Sequence, residues 1–262
     1  MMGVLNVTPD SFSDGGRYLD PDDALAHGLA MVAEGADLVD VGGESSRPGA
    51  DPVDEAEERR RVVPVVAALA PHVRVSIDTV KPSVAEAAVA AGATLINDIS
   101  GTLHPVAARC GVGWVAMHMQ GTPADMQRQP HYGDVVDEVH TFLLERAREA
   151  QDLGVTEIWV DPGIGFGKTV EHNLSLLAHA GELARAAAAE GASVLVGVSR
   201  KRFLGAFGSL AGQPVGVEDR LEASLALATW AMAQGASMVR AHDVGPTLEA
   251  ARLVGQEWEV AA

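Results

Sequence analysis

Six times along the chain a helix-like stretch ends in glycine and a small residue, then runs directly into a short apolar segment. The junctions are Gly35-Ala36-Asp37, Gly92-Ala93-Thr94, Gly111-Val112-Gly113, Gly154-Val155-Thr156, Gly191-Ala192-Ser193 and Gly235-Ala236-Ser237. A glycine there suits the left-handed position that ends a helix, with a strand following at once. The segments that follow, such as Leu38-Val39-Asp40-Val41 and Trp114-Val115-Ala116-Met117, are apolar on both faces. That pattern belongs to parallel strands covered on both sides. Val4-Leu5-Asn6-Val7 and Val73-Arg74-Val75-Ser76-Ile77 bring the strand count to eight. Asp20-Pro21 and Asp51-Pro52 each place an acid before a proline, which predicts helix starts. The helix from Pro21 is expected to bury a face made of Leu25, Leu29 and Val32.

Eight strand–helix units in 262 residues fit either an open doubly wound sheet or a closed ring. The polar residues decide between them. Asn6, Asp40, Asp78, Asn97, His118, Asp161, Ser199 and Arg240 end nearly every run, and a site fed from all eight strand ends requires a ring. The predicted fold is therefore α/β, a single (β/α)8 TIM barrel. No composition shift or linker interrupts residues 1–262, so one domain is expected.

With 19 Lys+Arg against 36 Asp+Glu, the net charge of −17 argues against a nucleic-acid partner. Cys110 is the only cysteine, which excludes an internal disulfide and a Cys-rich metal cluster. The N-terminus lacks a basic region and an apolar signal core, and apolar runs such as 62–70 fall far short of the ~20 residues of a membrane helix. A cytoplasmic protein with no membrane partner is expected.

Asp78, Asn97 and Asp161 each follow a purely apolar approach, so a ring would gather them at its mouth as a buried cluster able to accept several N–H donors. The glycine-rich segment 161–169 is not a P-loop, because position 162 is proline where that motif needs its first glycine. Its glycines suggest backbone lying close to a ligand, with Phe166 offering an aromatic edge. The segment 42–49, which carries Ser46, Arg47 and Pro48, reads as a candidate lid, and residues 6–16 as a second long connection. Against so acidic a background, Ser199-Arg200-Lys201-Arg202 and Arg240-Ala241-His242-Asp243 stand out as a basic island after strands seven and eight, where barrels often bind phosphate. Cations at a helix start oppose its dipole unless an anion sits there, so an anion site is predicted. His118 and His242 lack zinc-type spacing.

These segments, together with Met2-Gly3-Val4-Leu5-Asn6-Val7-Thr8-Pro9-Asp10-Ser11-Phe12, Ser76-Ile77-Asp78-Thr79, Ile96-Asn97-Asp98 and Met117-His118-Met119-Gln120-Gly121, resemble the dihydropteroate synthases of folate biosynthesis in family order along the chain. The resemblance implies a transferase that joins 6-hydroxymethyl-7,8-dihydropterin diphosphate to 4-aminobenzoate by an SN1-like route. It implies that Asp78, Asn97, Met117, Asp161 and Lys201 hold the pterin. Asn6, Arg240 and His242 would hold the diphosphate, with Mg2+ near Asn6. Ser46, Arg47, Pro48, Phe166, Ser199 and Arg202 would surround 4-aminobenzoate, its carboxylate resting at the helix start near Arg202. Asp78, Lys201, Arg240 and His242 would be the catalytic set, in a homodimer.

Many relatives carry threonine where this chain has Ser46, and they usually have a further stretch before strand one that closes the barrel bottom. Two other classes remain in view. A pterin-dependent methyltransferase serving a corrinoid protein would have no use for the diphosphate residues, and a non-catalytic pterin binder would have been signalled by loss of Asn6, Arg47, Lys201 or His242.

Overall fold

The computed structural model describes residues 1–8, 21–46, 52–206 and 215–255. Eight parallel strands close into a barrel in chain order: β1 (Met2–Asn6), β2 (Leu38–Gly42), β3 (Arg74–Asp78), β4 (Leu95–Asp98), β5 (Gly113–Met117), β6 (Ile158–Asp161), β7 (Ser193–Val196) and β8 (Met238–Ala241). β1 pairs with both β2 and β8, which closes the ring. Around it run α1 (Pro21–Ala33), α2 (Glu55–Leu69), α3 (Pro82–Ala90), α4 (His104–Cys110), α5 (Val135–Asp152), α6 (Val170–Ala178), α7 (Ala180–Ala189), α8 (Leu221–Ala233) and α9 (Val244–Val254). The fold is the (β/α)8 barrel that the repeat predicts.

All six junction glycines adopt positive φ. Gly111, for example, caps α4 at φ 66°, where its N–H reaches back to the Ala107 and Ala108 carbonyls. Of the two proline signals, Pro21 opens α1 as predicted, and the second is displaced. Residue 51 lies outside the described residues, and the second helix begins not near Pro52 but at Glu55, where the Asp54 side chain accepts from the Glu57 N–H at 2.9 Å. In α1 the fully buried stripe is Ala24, Gly28 and Met31, with Leu25, Leu29 and Val32 half-buried beside it. The reason is close packing: a Cβ on Gly28 would meet the Leu69 side chain of α2 at 2.7 Å.

Strand periodicity divides the apolar residues into two layers. Leu5, Val39, Val41, Val75, Ile77, Ile96, Trp114, Ile158, Val160, Val194, Val196 and Val239 face outward into the layer shared with the helices. Met2, Leu38, Leu95, Val115, Leu195 and Met238, with Trp159 packed on them, form a separate inner cluster that plugs the barrel floor. The floor is thus sealed by strand residues themselves. Among the described residues no helix is long and apolar enough to cross a membrane.

Candidate active site

Two residues beyond five of the inner floor residues, the same strand face lines the mouth. Leu38 is followed by Asp40, Leu95 by Asn97, Val115 by Met117, Trp159 by Asp161 and Met238 by Arg240, while Asn6 and Asp78 end β1 and β3. The period of two that builds the floor therefore also builds the mouth. Asn97 and Asp98 show the rule at adjacent positions. Asn97 points across the barrel to Asp40, whereas Asp98 faces outward and accepts from the Thr102 and Leu103 N–H groups at 2.7 and 2.6 Å.

Arg240 organises the mouth. Its Nε donates to Asp40 Oδ2 at 2.7 Å and its Nη2 to Asp78 Oδ2 at 2.9 Å, while Asn97 Nδ2 donates to the same Asp40 oxygen at 2.8 Å. Asp40 is 0% exposed, and its Oδ1 has no partner. Burial pushes the Asp78 carboxyl up to about 7 against the pull of Arg240, with the Asp40 and Glu58 charges adding to the rise. Asp161 is also buried, and its carboxyl is raised by desolvation although the Gly163 N–H donates to Oδ1 at 2.8 Å. Lys201 lies between these acids with its Nζ 4.0 Å above the centre of the Phe166 ring, and desolvation brings it down to about 8. Met117 pairs in register with Asp161 and lines the inner face between Asn97 and Asp161. Asn6 stands opposite Gly42, where a Cβ would lie 3.5 Å from Asp78 Cβ and 3.7 Å from Asn6 Oδ1, so the glycine keeps a gap between the two side chains.

The basic island does not act as one unit. Arg200 turns away to bind Asp243 through two hydrogen bonds at 3.0 and 2.5 Å, Lys201 enters the mouth, and Arg202 is exposed. Arg202 opens a five-residue 3-10 helix, Arg202–Ala206, rather than the α-helix whose dipole the sequence reading invoked. The helix-dipole argument therefore finds no α-helix start at Arg202, and within the Ser199–Arg202 run it is Lys201 that enters the mouth, joining Arg240 and His242 from the second run. Beside it, the Ser199 hydroxyl bonds both the backbone N–H and Nδ1 of His242 at 3.1 Å. Burial, with Arg240 and Arg200 nearby, lowers His242 to about 3, which keeps the ring neutral.

Two glycines of the 161–169 segment have a packing use of their own. At φ 64° and 60°, Gly163 and Gly167 would place a Cβ 1.8 Å from the His118 carbonyl oxygen and 2.3 Å from that of Gln120, so they allow the connection after β6 to lie on the one after β5. Lys168, to which no sequence motif assigns a role, secures the same contact. It is 3% exposed, and its Nζ donates to the carbonyls of His118 and Phe166 at 3.2 and 3.0 Å. Burial lowers it to about 7. Asp40 is the other residue without an assigned role, and its signal was plain: a lone charge inside an apolar run.

Ser46 is half-buried and helps line a cavity of about 110 Å³ together with Glu44, Ser45, Glu58, Asp78 and Thr79. Arg47 and Pro48, and residues 9–16 of the first long connection, lie outside the described residues.

The sequence profile described as pterin binding enzyme matches residues 2–242. A dihydropteroate synthase of Mycobacterium leprae is 48% identical over 97% of this chain and 92% of its own length. The Yersinia pestis dihydropteroate synthase solved with a sulfonamide drug superimposes with a TM-score of 0.88 at 43% identity, covering 97% of this chain and 92% of that one. The Xanthomonas albilineans enzyme solved with 4-aminobenzoic acid gives a TM-score of 0.87 at 44% identity, over 96% and 90% of the two chains.

Proposed function

This chain belongs to the pterin binding enzyme family, and from that premise we propose that it is the transferase that makes 7,8-dihydropteroate from 6-hydroxymethyl-7,8-dihydropterin diphosphate and 4-aminobenzoate. The observation that carries the proposal is the ring of Asp78, Asn97, Asp161, Lys201 and Arg240 at the barrel mouth, buried or half-buried acceptors and donors from the ends of β3, β4, β6 and β8 and from the connection after β7. A pterin edge rich in N–H donors satisfies Asp161 and Asp78. An analogue lacking those donors leaves buried carboxylates unpaired, which gives discrimination. Met117 supplies an apolar wall beside them.

Arg240 and the neutral His242 face the diphosphate, the first as a cation and the second as a hydrogen-bond donor held by Ser199. The bond from the pterin methylene carbon to oxygen breaks with its electron pair leaving on diphosphate, which Arg240 and Lys201 stabilise, while Asp78 and Asp161 offset the positive charge on the pterin. The 4-aminobenzoate nitrogen then supplies the pair for the new C–N bond and releases a proton. Ser46, Arg47, Pro48, Phe166, Ser199 and Arg202 are assigned to this second substrate, with Phe166 held in place by Lys201.

Asn6 offers one amide oxygen, and among the described residues no group of three His, Cys, Asp or Glu side chains gathers to hold a metal alone. That donor set suits a magnesium ion shared with diphosphate, since magnesium keeps several waters and takes few protein ligands beside phosphate oxygens. When bound, it supplies charge compensation to the diphosphate. The same reading makes the protein a cytoplasmic homodimer, as the family resemblance implies.

Turnover of purified protein with magnesium and both substrates, followed by chromatography, tests the proposal. Dihydropteroate that requires both substrates and falls when a sulfonamide competes with 4-aminobenzoate is the expected result. Binding of the dihydropterin diphosphate without product would instead identify a non-catalytic pterin binder.

A further inference from the structure

Three consecutive carbonyls of the connection after β6 accept side-chain donors. Gln127 Nε2 donates to the Gly165 carbonyl at 2.7 Å, Lys168 Nζ to that of Phe166 at 3.0 Å and the Tyr132 hydroxyl to that of Gly167 at 2.8 Å. The segment's own backbone does not fix its course, because Gly163, Gly165 and Gly167 alternate along it at positive φ and glycine has the most freedom to lose on ordering. Lys168 also spans to the connection after β5, where its Nζ lies 3.0 Å from His118 Nδ1 and 3.2 Å from the His118 carbonyl oxygen. Burial and the Lys168 charge lower His118 to about 3, so the neutral ring can offer Nδ1 as an acceptor, and the three protons of the ammonium group meet three acceptors. What these bonds hold is Phe166, a half-buried ring at the barrel mouth with Lys201 Nζ 4.0 Å above its centre. Gly165 keeps the same lysine close, since a Cβ there would lie 3.3 Å from Lys201 Cδ.

We propose that Lys168 and Gln127 are positioning residues for the second substrate, pinning adjacent carbonyls of the connection after β6 so that the Phe166 ring is presented to 4-aminobenzoate. This rests on the functional reading above. Neither side chain needs to touch the substrate: each fixes the backbone on one side of the ring, and a glycine-rich segment released at either point lets the ring shift. Misplacing a binding group by about 1 Å is enough to cost large factors in rate, so Lys168→Met should raise the KM for 4-aminobenzoate about tenfold. Gln127→Met frees one carbonyl and changes no charge, and should raise the same KM roughly threefold, with the smaller change in kcat. Lys168→Met also removes a charge that lowers the Asp161 carboxyl, so its effect is read in a double-mutant cycle with Phe166→Leu. Where the lysine acts through the ring, the two penalties on KM do not add.

The experiment is steady-state turnover of wild type, Lys168→Met, Gln127→Met, Phe166→Leu and the two double variants, with the melting temperature of each. Lys168 is 3% exposed, so Lys168→Met should lower the melting temperature, whereas the half-buried Gln127 should change it little. A raised KM in Gln127→Met at a nearly unchanged melting temperature, absent when Phe166 is already leucine, supports the proposal. An unchanged KM in Gln127→Met, no effect of Phe166→Leu, or penalties that add fully in the cycle overturns it. Should Lys168→Met fail to fold, the Gln127→Met cycle decides by the same criteria. Wild-type protein separates the two inferences: no turnover there refutes the functional reading and this one with it, whereas normal turnover with an unaffected Gln127→Met variant refutes only the positioning role.

Discussion

Replacing Arg240 with methionine should destabilise the barrel in a way that depends on pH. The substitution keeps much of the apolar stem and removes the only cation among the described residues within hydrogen-bond distance of two carboxylates, Asp40 at 2.7 Å and Asp78 at 2.9 Å. Asp40 would retain only the Asn97 amide, in a place with no access to water. Removing one partner of a buried ion pair costs about 3–5 kcal/mol. With an unfolding entropy of about 2.1 cal/mol/K per residue, a chain this size loses roughly 2 °C for each kcal/mol, so the melting temperature should fall by about 5–9 °C.

The sign of the pH effect follows from Asp78. Its carboxyl is raised from 3.8 to about 7 in the folded state, so the folded form keeps its proton longer and this group's contribution to stability declines as pH rises from about 4 to 7. Arg240 pulls that value down; without it the folded value moves higher and the decline extends above pH 7. Scanning calorimetry of both proteins should therefore show a larger deficit at about pH 8 than at about pH 5. A deficit below about 1 kcal/mol, or one that is equal at the two pH values, would mean that the pairs behave like exposed ones and would refute the reasoning.

Asp161→Asn should abolish pterin binding with the fold intact. The amide oxygen can still accept from the Gly163 N–H, as Oδ1 does now at 2.8 Å, but the other arm becomes a donor facing the pterin's donors. Calorimetry showing unchanged pterin affinity would remove Asp161 from the site. Pterin affinity in the wild type should rise with pH as Asp78 ionises near 7 and fall as Lys201 loses its proton near 8. A flat binding profile between about pH 6 and 9 would show that neither group meets the ligand.

Most of the barrel was legible because its determinants are local. A left-handed glycine ends a helix whatever surrounds it, and a doubly apolar run marks a covered strand, so the eight strands fall where the runs do. The strand-end residues were legible for the same reason. Exceptions arise where neighbours decide. Gly28 displaces Leu25 and Leu29 from the most buried line of α1 because Leu69 approaches so closely. Arg200, Lys201 and Arg202 look alike in a row, yet one pairs with Asp243, one enters the mouth and one faces solvent. Gly163 and Gly167 allow contact between two connections, a use that depends on where His118 and Gln120 come to lie.

The sequence alone determined the alternation that makes a barrel, and with it the set of polar side chains that a ring must bring to one end. Only the tertiary structure decided their partners. Asp40 and Arg240 are 200 residues apart, and Asp78 and Arg240 are 162 apart, so no local pattern encodes which charge will face which. Closure of the ring brings them within hydrogen-bond range in a buried place, where an unpaired charge is costly and each pairing becomes specific.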